Sequence, residues 1–281
     1  MSKIQNCLKV ALLQLQGGVD KIKNVENAVS KIKEVALKHK AELVALPECF
    51  NSPYGTKYFA EYAETIPDGY TSKILSQTAK ETGIYIVGGT IPEKDNEKLF
   101  NTCTVWDPSG NMIAKHRKIH LFDIDVKGGI RFKESETLSA GNNFTMIEIF
   151  GNKIGIGICY DIRFEEMARI YRNEGCKMLI YPAAFNMTTG PMHWELLQRA
   201  RANDNQLFVL TISPARDENS SYVAWGHSMV VDPWGKILAS ADENEKTIVA
   251  DIDFSMADNV RQQIPVGFQR RTDLYETIKK N

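Results

Sequence analysis

Cys159 closes the apolar run Ile154-Gly155-Ile156-Gly157-Ile158 and is followed by Tyr160-Asp161-Ile162-Arg163. That pattern puts a thiol where a strand ends and a helix begins, and backbone N–H groups at such a point lower a thiol pKa and stabilise an oxyanion. A buried structural cysteine fits the same position. Glu48 is placed alike, directly after Leu43-Val44-Ala45-Leu46-Pro47; a carboxylate there is either a reactive group at a strand mouth or a cap for the next segment. Lys118 stands in Lys115-His116-Arg117-Lys118-Ile119-His120, just past another strand pattern, and a basic cluster of this kind is ordinarily a solvated face. Glu134, in a loop-like stretch, says little by itself.

Other chemistries find less support. His116 and His120 are four apart, but a strand exit does not bring them onto one helical face as a metal pair requires. There is no G-x-x-x-x-G-K-[ST] phosphate loop and no G-x-S-x-G nucleophile elbow. Gly155 and Gly157 suit close sheet packing better than dinucleotide binding. A Cys-His hydrolase using His120 or His193 stays open.

The elements that must position these groups follow an α/β rhythm. Lys9 to Gln16 reads as a strand. Ile22, Val25, Val29, Ile32 and Val35 form the stripe of an amphipathic helix, and Leu43 to Leu46 reads as a buried strand. A helix over Ser72 to Glu81 and a strand over Ile84 to Val87 complete the first half. Hairpins follow, one around Asp107-Pro108-Ser109-Gly110 and one around Gly151-Asn152. The remaining pattern predicts a helix over 163–173, a strand over 178–181, a helix over 193–205 and a strand over 206–212. The segment Thr104 to Ile113 is echoed by Met229 to Leu238, each carrying Asp-Pro-x-Gly. Two hairpins of one design, one in each half, predict two similar sheets face to face with helices outside, a four-layer α-β-β-α sandwich. No linker divides the chain, so residues 1–281 are expected to form one domain, with a core of about 8–252 and a C-terminal extension over 253–281.

Composition excludes several classes of function. The 281 residues carry 34 Lys+Arg and 35 Asp+Glu, a net charge of −1 that offers nucleic acid no basic stripe. No apolar stretch approaches a membrane span, and Met1 to Val10 lacks the apolar run of a signal peptide, so the expectation is a soluble intracellular protein. A cytoplasmic location is expected, with a mitochondrial one also open. The five cysteines are widely spaced and include no CxxC pair, so neither a disulfide framework nor a zinc site is expected.

Taken together, Leu46-Pro47-Glu48, then Arg117-Lys118-Ile119-His120-Leu121-Phe122, then Gly157-Ile158-Cys159-Tyr160-Asp161-Ile162-Arg163-Phe164 resemble the three motifs of the nitrilase superfamily, in that family's order. The similarity runs from about Leu8 to Tyr275. Within the family, Cys49-Phe50-Asn51-Ser52-Pro53-Tyr54-Gly55, Phe185 to Pro191, His193-Trp194-Glu195 and Tyr222 to Ser228 look like the omega-amidase branch, and a sister amidase acting on deaminated glutathione is the alternative. Lys127 departs from the pattern, since relatives commonly have Pro there, and affects only local loop shape.

The resemblance implies a Glu48–Lys118–Cys159 triad hydrolysing a linear amide without a metal or organic cofactor. Cys159 would be the nucleophile and Glu48 the proton carrier. Lys118 and the Tyr160 N–H would stabilise the oxyanion, and Glu134 would support Lys118. The positive charge of Lys118 is expected to lower the Cys159 pKa. Arg163 is the candidate reader of a distal carboxylate, and by resemblance Tyr54, Phe185 and Thr189 are pocket walls. The implied substrate is a small dicarboxylate monoamide, and the implied assembly is a homodimer through the helix after Cys159. On that helix Met167, Ile170 and Tyr171 fit either a self-complementary patch or a core-facing stripe.

Overall fold

The computed structural model describes residues 5–128 and 131–280. The first half runs β1 (Cys7–Gln14), α1 (Lys21–Glu34), β2 (Leu43–Ala45), α2 (Thr56–Tyr62), α3 (Tyr70–Thr82), β3 (Tyr85–Val87), β4 (Ile91–Asp95), β5 (Lys98–Trp106) and β6 (Met112–Arg117). A small ribbon, β7 (Asp123–Asp125) with β8 (Arg131–Lys133), leads to a single 3-10 turn at Glu134–Glu136. The second half runs β9 (Thr145–Ile149), β10 (Asn152–Ile156), a 3-10 turn Cys159–Arg163, α4 (Glu165–Asn173), β11 (Met178–Pro182), α5 (Gly190–Asn205) and β12 (Phe208–Ile212). It ends with β13 (Met229–Val231), β14 (Ile237–Ser240), β15 (Lys246–Asp253) and α6 (Ser255–Gln263).

Each half supplies the core of one mixed sheet of the same plan, and β15 of the second half crosses to join the first sheet. In the first, β1, β2 and β3 are parallel neighbours and the β5–β6 hairpin adds antiparallel to β3. In the second, β10, β11 and β12 are parallel and the β13–β14 hairpin adds antiparallel to β12. The two Asp-Pro-x-Gly turns are copies in detail. Asp107 accepts from the backbone N–H groups of Ser109 and Asn111, and Asp232 from those of Trp234 and Lys236. Gly110 and Gly235 sit at φ +84° and +77°, where a side chain would be strained.

Strand periodicity sorts the layers. Leu8, Val10 and Leu12 of β1 join residues of β10–β12 in one apolar cluster between the sheets. Ala11 and Leu13 face the other way, onto Val25, Ala28 and Ile32 of α1 and Leu75 and Ala79 of α3. Met167, Ile170 and Tyr171 are buried within the single chain, so they form the core-facing stripe of α4 and not a surface patch. Two adjustments follow from backbone geometry. Positive φ at Phe150 and Gly151 places the β9–β10 turn one residue earlier than predicted, and β10 ends at Ile156, before the thiol. Strand β15 starts at Lys246, inside the predicted core, and pairs with all eight residues of β1, while within the predicted extension α6 packs Ala257 and Val260 inward. Among the described residues, no helix is long and apolar enough to cross a membrane.

Candidate active site

The parallel strands deliver the site. Glu48 lies three residues past β2 and Lys118 one past β6. Cys159 lies three past β10, so all three sit beyond the carboxyl ends of strands, where layered α/β folds place their chemistry. Gly157 is needed for this approach, because a Cβ there would lie 2.3 Å from the Tyr181 ring. At Gly155 a Cβ would lie 2.7 Å from both Leu179 and Tyr171, which bears out the packing role.

The basic cluster divides by strand alternation. Lys115 and Arg117 point to one side of β6 and pair with Glu93, the solvated-face reading. Lys118 points inward and is fully buried. Its Nζ lies 3.0 Å from Glu48 Oε1 and 3.0 and 2.9 Å from the two oxygens of Glu134. Glu48 is held from two further directions: Asn101 Nδ2 donates to Oε1 at 2.8 Å, and the Ala184 N–H donates to Oε2 at 2.7 Å. Glu134 accepts the Phe122 N–H at 2.8 Å and the Tyr54 hydroxyl at 2.8 Å. Tyr54 thus does more than line a wall: it fixes the carboxylate that fixes the lysine.

Cys159 is buried close enough to Glu48 for each group to act on the other's ionisation. Its φ of +45° is in the left-handed region, which costs a non-glycine residue about 1–3 kcal/mol and is found where the surroundings over-determine a geometry. The thiol begins the 3-10 turn Cys159–Arg163, so the Tyr160 N–H belongs to a first turn, whose N–H groups find no partner inside the helix.

The electrostatics correct one expectation. The thiol is not depressed: burial pushes Cys159 well above the ordinary thiol range and the Glu48 charge adds to this, outweighing Lys118 and the Ala184 N–H. Burial likewise raises Glu48, against the pull of Lys118 and with help from Glu134. Burial opposes the charge on Lys118, yet Glu134 and Glu48 more than reverse that and hold its pKa well above the ordinary lysine range. The resting site is therefore a neutral thiol beside a strengthened base and a permanent ammonium.

Asp161, Asn101 and Ala184 were given no role from sequence, and Tyr222 was named there only within a segment resembling the omega-amidase branch. Asp161 accepts the N–H of Ile158 and that of His120, both at 2.9 Å, joining the segments that carry Cys159 and Lys118. Tyr222 donates to the Ala184 carbonyl at 2.6 Å and packs against Tyr54 at a tilt of 45°, ring centroids 4.4 Å apart. A buried Asn inside the apolar run of β5 was a readable signal; Ala184 acts through its main chain and left none.

Arg163 lies 4.8 Å from the Phe185 ring centroid and 5.5 Å from that of Tyr160, and its Nη1 is 3.1 Å from His193 Nδ1. Its buried Nε has no partner, and among the described residues no carboxylate neutralises it. Thr189 is buried at the start of α5 with its N–H and hydroxyl on Asn186 Oδ1. A cleft lined by Glu48, Tyr54, Ala184, Asp217 and Tyr222 reaches the acid of the cluster, and Cys159, Lys118, Phe185, Thr189 and Arg163 lie outside that lining. Lys127 is exposed in the turn after β7.

Residues 9–262 match the family Carbon-nitrogen hydrolase. The chain is 59% identical over 272 residues to omega-amidase NIT2 of Xenopus tropicalis and 57% identical over 272 residues to omega-amidase NIT2 of Homo sapiens. Each alignment covers 97% of this chain and 98% of the relative. The crystal structure of Saccharomyces cerevisiae Nit3, a member of branch 10 of the nitrilase superfamily, superposes with a TM-score of 0.88 at 44% identity, covering 95% of this chain and 98% of that one. With its sandwich, its buried acid–amine–thiol cluster and this similarity along nearly its whole length, the chain belongs to the carbon-nitrogen hydrolase family.

Proposed function

We propose that this protein is an omega-amidase, which hydrolyses monoamides of dicarboxylates such as alpha-ketoglutaramate and alpha-ketosuccinamate to the dicarboxylate and ammonia. The observation that carries the reading is the meeting of Glu48, Lys118 and Cys159 in one buried cluster, in a chain 59% identical to an omega-amidase.

Cys159 Sγ attacks the amide carbon as its proton passes to Glu48. A neutral thiol needs that base, and burial has made Glu48 a stronger one than a free carboxylate. The carbonyl oxygen gains negative charge beside Lys118 and the Tyr160 N–H, an interaction commonly worth about 10²–10³ in rate for one donor. Glu48 then protonates the departing nitrogen, the C–N bond breaks, and ammonia leaves a thioester. Water attacks the thioester carbon with Glu48 again accepting a proton, and the thiol is restored. Lys118 stays charged through both halves because Glu134 and Glu48 hold it so.

Arg163 pairs with the distal carboxylate of the substrate, and its uncompensated charge and unpartnered Nε support that role. The whole chain works as one domain and forms a homodimer, supported by exposed Phe268, Leu274 and Tyr275 near its C-terminus. Its five cysteines, all free, suit the reducing cytoplasm. The test is ammonia release from alpha-ketoglutaramate and from deaminated glutathione. Wild type should favour the former in kcat/KM and Cys159→Ala should release none. A preference for the glutathione derivative would reassign the substrate, and activity in Cys159→Ala would remove the mechanism.

A further inference from the structure

The cleft that reaches Glu48 has a volume of about 40 Å³. A water molecule needs about 10–15 Å³ of such space, so the cleft has room for about three waters and not for a whole dicarboxylate monoamide. Its lining includes Glu48 but neither Cys159 nor Lys118, and none of Arg163, Phe185 and Thr189. It therefore leads to the base by a route that the groups acting on the acyl chain do not share. Three buried residues with hydroxyls line it, Ser52, Tyr54 and Tyr222. The hydroxyls of Tyr54 and Tyr222 are already committed, to Glu134 and to the Ala184 carbonyl. That of Ser52 is not: the residue is 3% exposed, and its Oγ is buried with no partner among the described residues. The Ser52 N–H donates to the Cys49 carbonyl at 3.1 Å, and the Cys49 N–H donates to Thr90 Oγ1 at 2.8 Å. Ser52 thus rides on an anchored turn that directly follows the base.

We propose that this cleft supplies the water that hydrolyses the thioester, and that Ser52 is a positioning residue that holds this water for Glu48. The inference rests on the omega-amidase reading and adds to it a separate entry for the second reactant. A buried hydroxyl left unpaired is costly, and a water bound to Ser52 Oγ removes that cost. In the step itself, the water oxygen bonds to the thioester carbon while one of its protons passes to Glu48. The C–S bond then breaks, Cys159 Sγ takes that proton back from Glu48, and the free acid leaves. Water that arrives on the base side is in place while the acyl chain still fills the side of Arg163.

The test is steady-state ammonia release from alpha-ketoglutaramate by the full chain, with intact-protein mass spectrometry of enzyme quenched during turnover. Water attacks after ammonia has left, so slowing its attack lowers kcat and KM together and leaves kcat/KM as it was. Ser52→Ala should lower kcat by about three- to tenfold, the loss of one hydrogen bond. KM should fall in step, and the share of Cys159 carrying the acyl group should rise above wild type. Ala215→Val narrows the cleft from another part of its lining and should give the same pattern. A fall in kcat/KM equal to that in kcat, with no added acyl-enzyme, would make the cleft part of the amide's own site and overturn the proposal. Unchanged kcat in both variants would overturn it too. Wild type is the reference in each arm: no ammonia from it would end the omega-amidase reading and this inference together, whereas the two failures named before leave it active.

Discussion

Asp161 and His120 are joined twice: one carboxylate oxygen accepts the His120 backbone N–H at 2.9 Å and lies 2.8 Å from its ring Nδ1. The other oxygen accepts the N–H of Ile158. A single buried carboxylate therefore holds the residue before the thiol and the segment after the lysine in one frame. Asp161→Asn keeps the shape but weakens charge-assisted hydrogen bonds worth about 1.5–3 kcal/mol each. It should lower kcat by roughly 10–100-fold with KM little changed, since a displacement of about 1 Å between reacting groups costs a similar factor. Steady-state kinetics would check this, and a rise in KM alone would mean that Asp161 does not align the reacting groups.

The same carboxylate should mark the acid stability of the fold. Burial alone would raise the Asp161 pKa, but the adjacent imidazoles of His116 and His120 and the Ile158 N–H hold it well below the usual 3.8. A depressed folded-state pKa contributes stability that is present above the unfolded value and lost as pH falls through the folded one. The stability difference between wild type and Asp161→Asn should be constant above about pH 5 and shrink progressively below 3.8. Denaturant unfolding at a series of pH values measures it; a difference that widened on acidification would reverse the sign.

Activity should show the opposite displacement. Glu48 is raised by burial, so the carboxylate needed as base is lost at a pH above its ordinary 4.5. The acid limb of kcat/KM should lie above that value. Deprotonation of Lys118 should add no alkaline limb up to about pH 10, because its pKa is held above 10.5. A pH–rate profile decides this, with Glu48→Gln inactive throughout. A limb at or below pH 4.5 would take Glu48 out of the role.

The layers were legible in the sequence because they rest on local pattern, whereas Glu48, Lys118 and Cys159 stood out only through the resemblance of three motifs taken together. Helix α1 follows its apolar stripe, and the paired hairpins follow Asp-Pro-x-Gly, whose Asp side chain and Gly conformation build the turn unaided. β4 was hidden by Pro92, which is tolerated there because the strand lies at a sheet edge. β15 was hidden because Lys246-Thr247-Ile248-Val249-Ala250-Asp251-Ile252-Asp253 does not alternate cleanly, and it is fixed by long-range pairing with β1. The thiol pKa was misread for a related reason. Strand-end position and a nearby cation are local cues, whereas desolvation by the assembled core is not. Lys118 differs from Lys115 and Arg117 only through the side of β6 it faces, which emerges once Asn101 on β5 fixes the register.

Substrate selection gives the last prediction. Arg163 is half-buried over Phe185 with His193 accepting from Nη1, and among the described residues no carboxylate satisfies it. Its charge is thus available, and its orientation depends on a ring nitrogen. Arg163→Ala should raise KM for alpha-ketoglutaramate by about 30-fold or more, since truncating one partner of a buried charge pair costs about 2–5 kcal/mol. A neutral amide of similar length should lose less than threefold. His193→Ala should fall between, because it frees the guanidinium without removing it. The KM ratio between acidic and neutral amides across the three enzymes is the measurement. Equal losses on both amides in Arg163→Ala would show that Arg163 supports the site's shape, and the carboxylate would then have to be read by another residue.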